Sequence, residues 1–164
     1  MEEQMGQEER RKLRALVQER RWGALGTARD NEPLATWVAF VPERDYGGFI
    51  LHLSGLSLHT RFLDTNPRAS LSISELDVTP GKDPQELTRV SFQGTVALLE
   101  RGSEEYDRAR VQYQKRLFHS TPQFKFGDFG LYRFAIESAR YVPGFGQVFR
   151  LGPMDLRDIL ATDD

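Results

Sequence analysis

Four residues near the middle of the chain, Ser57, His59, Thr60 and Arg61, have the types and the spacing to grip an anion. They fall where a short helical pattern begins, and there free backbone N–H groups and the positive end of the helix dipole both favour negative charge. Ser57 carries the hydroxyl of a helix cap. Leu58, Phe62 and Leu63 recur at the spacing of one helix face, and Pro67 stands just past its end. The run before them, Phe49 to Leu53, is apolar and β-prone until Ser54-Gly55 interrupts it, so that strand, turn, helix and a second strand from Arg68 follow in order. The arrangement predicts a phosphate cradle, to which Arg89 on a neighbouring strand offers a second guanidinium.

Other chemistries leave no matching pattern. The three histidines, His52, His59 and His119, show no paired metal-ligand spacing, and there is no Gly-x-Ser-x-Gly elbow. The carboxylates are scattered over loops and helix starts rather than paired. Gly144-Phe145-Gly146 lacks the third glycine and the following helix of a dinucleotide fingerprint. With no cysteine, disulfides and thiolate nucleophiles are excluded, and a net charge of -2 removes any general drive toward nucleic acid. The amino terminus, MEEQMGQEERRKLRALVQERR, is charged throughout, and no later segment has the length to span a bilayer. The expectation is a soluble, cytoplasmic protein that binds an anion and a ring.

The elements that must position these residues can be taken in order. Glu8 to Arg21 predicts a helix with a narrow stripe of Leu13, Leu16 and Val17, its arginines (Arg10, Arg11, Arg14, Arg20, Arg21) reading as a solvated face. Trp22 to Ala28 and Leu34 to Val41 form a hairpin about Arg29 to Pro33, and Phe49 to Leu53 adds a third strand. Arg68 to Ser74 alternates as a half-buried strand, Asp77 to Glu86 is a polar loop, and Leu87 to Leu99 is a strand in which Gly94 marks a bend or close approach. Ser103 caps a helix running to Leu117, and Phe118 to Asp128 is an aromatic, polar loop. Phe129 to Tyr141 is a long strand broken near Glu137-Ser138, VPGFGQ a glycine turn, and Pro153 to Leu160 a short helix. At 164 residues this is one domain, with the helix of residues 1–21 belonging to the same unit as residues 22–164. Six or more short antiparallel strands with helical excursions predict a mainly-β (α+β) barrel.

The segment SGLSLHTRFLDTNPRASLSI resembles the stretch after the third strand in the FMN-binding split barrels related to pyridoxamine 5'-phosphate oxidase, most closely the haem-utilisation, or HugZ-like, branch. The resemblance extends from about Trp22 to Phe149. It implies a homodimeric split β-barrel with FMN between the subunits and an FMN-dependent oxidoreductase acting on an unidentified small substrate. Carried over residue by residue, it places Thr36, Trp37 and Val38 along the isoalloxazine, and His52 and Leu53 where the third strand meets the flavin. Leu58 and His59 replace a basic phosphate-gripping pair, with Thr60 and Arg61 compensating. Arg89 stands where the oxidases place a glutamine, with Gln93 facing the same side. Phe118, His119, Arg133 and the Val142 to Gly146 turn, Gly144 included, would come from the second chain. The alternatives are a non-catalytic flavin or haem carrier or sensor, and a barrel holding the deazaflavin F420. The oxidases' carboxy-terminal Arg-x-His is absent, which argues against vitamin B6 oxidation. No histidine follows His119, which argues against haem breakdown through a carboxy-terminal iron ligand.

Overall fold

The computed structural model describes residues 5–161. Helix α1 (Gln7–Glu19) leads into β1 (Trp22–Arg29) and β2 (Glu32–Ala39), followed by β3 (Val41–Pro42), β4 (Gly48–Ser54), α2 (Leu58–Leu63), β5 (Arg68–Ser74), β6 (Arg89–Leu98), α3 (Glu104–Arg116), β7 (Phe129–Val142), β8 (Phe149–Leu151) and α4 (Pro153–Ala161). All the pairings are antiparallel, in the order β2-β1-β5-β6-β7-β4-β3, with β8 added to the end of β7. The eight strands curl into a half-barrel of the split-barrel type.

Alternation along each strand explains the curl. Leu25, Leu71, Phe92 and Ala139 lie opposite one another across β1, β5, β6 and β7, and all are buried on the concave side. Phe40, Phe49, Phe92 and Phe134 meet there edge-on or tilted, the geometry that ring quadrupoles favour. One end of the core is closed by α1 and α4, through Leu13, Leu16 and Val17 on the first and Leu156, Ile159 and Leu160 on the second. A second apolar cluster forms on the convex side, where Tyr106, Ala109 and Tyr113 of α3 cover Val41, Ile50 and Leu131.

Several local expectations are corrected. Arg14 is not on a solvated face: it is buried, and its Nε donates to the Ile159 carbonyl at 3.0 Å, tying α1 to α4. The second strand stops at Ala39 and resumes as the separate β3, which pairs with β4 instead of β1. Residues Phe118–Lys125 coil into a 3-10 stretch, and β8 follows the glycine turn. The interruption near Glu137-Ser138 is a bulge: Gln93 pairs with Ser138 and Gly94 with Ile136, leaving Glu137 unpaired. Gly94 is required there, because a Cβ would collide with the Ala135 carbonyl.

Candidate functional site

Helix α2 does not present the expected cradle. Ser57 occupies its N-cap without a side-chain capping bond, and the turn is held by Ser54 instead, whose Oγ accepts from Leu56 N–H at 3.1 Å and donates to Asp128 Oδ2 at 2.5 Å. The Thr60 hydroxyl is buried and donates to the Ser54 carbonyl at 2.7 Å, so it is committed to fastening the helix. His59 Nδ1 lies 3.0 Å from Thr36 Oγ1, and its Nε2 is covered without a partner. Burial pushes the His59 pKa down, which favours neutral imidazole. Leu58 turns to solvent rather than sharing the buried face of Phe62 and Leu63, and Arg61 is exposed. The structure thus brings Thr36 and His59 together on the inner side of the hairpin.

The convex face of the sheet gathers a different set. Along β2, Val38 points into the core while Trp37 stands outside, 63% exposed, and stacks on Trp22 with ring centroids 6.1 Å apart and planes 9° from parallel. Register then runs from Trp37 to Ala24, Ser72, Ser91, Arg140 and Arg150 across β2, β1, β5, β6, β7 and β8. The neighbouring row holds Ala35, Gly26, Ser70, Gln93 and Ser138. Ser72 and Ser91 share a 2.8 Å hydrogen bond. Arg89 lies on the same face, with its Nη1 donating to the Gln85 and Leu87 carbonyls at 2.9 Å each. The result is a shallow floor of short side chains between a tryptophan wall and a pair of arginines set directly opposite each other. Of the expected site residues, Trp37, Arg89 and Gln93 belong here. Trp22, Ser72, Ser91, Arg140 and Arg150 went unread, although the period of two along each strand was the signal that places them on one side.

The remaining expected residues lie elsewhere. Leu53 is core, and Gly144 sits in the turn after β7. Arg133 is engaged in a two-pronged ion pair with Glu43, at 2.7 and 2.9 Å, within an open groove of about 1190 Å3 lined by Val41, Ile50, Leu99 and Ala109. Phe118 is exposed beside His119, at 4.4 Å between ring centroids.

His52 lies under the 3-10 stretch, stacked 3.9 Å from Phe124 and bordered by Tyr113 and Phe129. Burial, aided by the Arg101 charge, lowers its pKa to about 4. The unfolded chain therefore takes up a proton near pH 6.5 that the folded chain refuses until about pH 4. The stability associated with neutral His52 is complete above that window and is lost as pH falls through it. At about 1.4 kcal/mol per pH unit the full effect would be roughly 3 kcal/mol, which partial exposure reduces to about 1–2 kcal/mol. Urea midpoints measured from pH 7 to pH 4 should fall accordingly, and His52→Phe, which keeps the ring stacking, should flatten that part of the profile.

Residues 10–143 match the family model described as pyridoxamine 5'-phosphate oxidase. The chain is 27% identical over 156 residues to the haem oxygenase HutZ of Vibrio cholerae, covering 93% of this chain and 86% of HutZ. It is 32% identical over 120 residues to the chloroplastic haem oxygenase HOZ of Arabidopsis thaliana, covering 71% of this chain but only 34% of that protein. A haem binding protein from Mycobacterium smegmatis superposes with a TM-score of 0.81 at 20% identity, over 94% of this chain and 62% of that one. The crystal structure of HutZ, there described as a haem storage protein, superposes at 0.68 with 25% identity, over 85% of this chain and 92% of that one. The expected cofactor is thereby corrected: these relatives are named for haem and not for FMN, and α2 has turned inward the hydroxyl and imidazole that a flavin phosphate would need. No helix among the described residues is long and apolar enough to cross a membrane. Through the match over residues 10–143 and the curled antiparallel sheet that carries it, the chain belongs to the pyridoxamine 5'-phosphate oxidase family of split barrels.

Proposed function

We propose that this protein binds haem on the convex face of its sheet. The observation that carries the reading is the row from Trp37 to Arg140, which joins an aromatic wall, a flat floor and cationic groups. Four strand spacings separate its ends, about 19 Å at ~4.8 Å each, which is broad enough for a porphyrin and its propionates. A planar macrocycle gains apolar contact along Trp22 and Trp37 and over Ala24 and Gly26, where no long side chain stands in the way. Arg140 and Arg150, with Arg89 behind them, are the groups that would take the carboxylates by charge-assisted hydrogen bonds. Bound haem would supply redox chemistry, while the chain supplies the plane, the charge and exclusion of water. A second copy of the chain seated over this face would complete the enclosure in a homodimer.

Titrating the purified protein with hemin should give a saturable Soret band, with a Kd of about 1 μM or tighter, equivalent to about -8 kcal/mol. A linear, non-saturating absorbance would sink the proposal. Oxidative haem breakdown is a second reading, favoured by the 93% coverage of this chain in the alignment with a named haem oxygenase. Loss of the Soret band under ascorbate and oxygen, with release of an open tetrapyrrole, would distinguish degradation from carriage.

A further inference from the structure

We propose that the convex face recognises a planar tetrapyrrole dicarboxylate by its ring and carboxylates alone, with no histidine bond to the metal, so that metal-free porphyrin binds as tightly as haem. The inference rests on the haem-binding reading above and goes on to define which part of the ligand is read.

The chain has three histidines and no cysteine, which makes the question of an iron ligand a short one. The His52 ring is stacked on Phe124, with Tyr113 and Phe129 beside it, inside the second apolar cluster. His59 is tied through Nδ1 to Thr36, and its Nε2, the atom that would approach a metal, is sealed from solvent. His119 is exposed, but it belongs to the Phe118–Lys125 stretch that packs Phe124 over His52, opposite Leu131 on β7. Arg140 is nine residues farther along the same strand, roughly 30 Å at ~3.3 Å per residue. Among the described residues, therefore, no imidazole or thiolate stands in the two rows that carry Trp37, Ser72, Ser91 and Arg140, and His52, though on the same convex side, lies at the far end of β7 under Phe124.

The groups that remain are indifferent to the metal. Stacked indoles, short side chains and a hydroxyl pair contact a ring by dispersion and shape, and the guanidinium groups contact carboxylates. Selectivity should follow the propionates instead.

The test uses the chain's two tryptophans, both on this face, as the reporter. Tryptophan quenching is titrated with hemin, protoporphyrin IX and protoporphyrin IX dimethyl ester, for the natural protein and for His119→Ala. Hemin and protoporphyrin IX should bind within threefold of each other in both proteins, and the diester at least tenfold more weakly. Hemin binding tenfold or more tightly than protoporphyrin IX, with His119→Ala erasing the difference, would overturn the proposal and identify a histidine ligand brought in by a second copy. Equal binding of the diester would overturn the carboxylate half. If neither hemin nor protoporphyrin IX quenches, the haem-binding reading itself fails, a result distinct from the other two.

Discussion

Reversing both arginines of the β7–β8 pair, Arg140→Glu with Arg150→Glu, should weaken hemin binding about a hundredfold or more. Charge-assisted hydrogen bonds contribute about 1.5–3 kcal/mol each, and the lower figure applies here because both side chains are exposed to screening solvent. Losing two of them is about 3 kcal/mol, or roughly two decades in Kd, before any repulsion from the new carboxylates is added. Stability should respond in the opposite sense to a single change. Arg140 and Arg150 lie directly opposite each other, and like charges in that position are unfavourable. Arg150→Glu alone turns the repulsion into an attraction, so it should raise folding stability by about 0.2–1 kcal/mol while loosening the ligand. Hemin titrations beside urea midpoints read both effects. Unchanged affinity in the double variant would remove the carboxylate-binding role from this edge of the sheet. An anion bound between the two cations would relieve that repulsion.

The fold was legible wherever a segment's local pattern and its tertiary role agree. Arg68 to Ser74 alternates without a break, and β5 has those bounds. Ser103, followed by Glu104 and Glu105, marked a helix start, and the Ser103 hydroxyl does accept from Tyr106 N–H at 3.1 Å. Alternation could not show what a strand pairs with. Nothing local distinguishes Ala39 from Val41, yet Phe40 turns into the core between them, ending one pairing and starting another. Arg14 was misread for a related reason: a helix stripe tells which side is apolar, but not that a distant carbonyl, that of Ile159, waits beside it.

The candidate site was legible only in fragments, because it is a property of rows that cross the sheet. Trp37 is legible on β2, and Arg89 and Gln93 on β6. Their shared face, and the membership of Trp22, Ser72, Ser91, Arg140 and Arg150, depends on registers that sequence does not print. The α2 hydroxyls illustrate the converse. Ser57 and Thr60 have the chemistry of anion ligands, but a six-residue helix pressed against β1 and β2 must be fastened, and Thr60 is used for that. The same limit applies to His52, which the family resemblance sets against a ligand and which the fold stacks under Phe124 of the 3-10 stretch.

Phe49→Ala should be the most damaging single truncation in the core. Phe49 is 1% exposed and is the hub of the aromatic cluster, with ring centroids 5.3 Å from Phe40, 4.9 Å from Phe92 and 6.1 Å from Phe134. Those partners come from the chain after β2, from β6 and from β7, so the ring ties β4 both to its paired neighbour β7 and to elements with which it shares no ladder. Removing it costs about 3–5 kcal/mol through lost transfer energy and the cavity left behind. That is a large part of a total of about 5–15 kcal/mol. At about 2–4 °C per kcal/mol for a domain of this size, Tm should fall by roughly 6–20 °C. Phe118→Ala, at 66% exposed, should stay within about 0.5 kcal/mol, and the contrast between two phenylalanines isolates burial from residue type. A loss below about 1 kcal/mol for Phe49→Ala, at an unchanged denaturant slope, would mean that the concave core closes without its central ring. Below its lowered Tm the variant should still bind hemin, because Phe49 faces the concave side while the proposed porphyrin face is convex. Folding and ligand binding are then separable on opposite surfaces of one sheet.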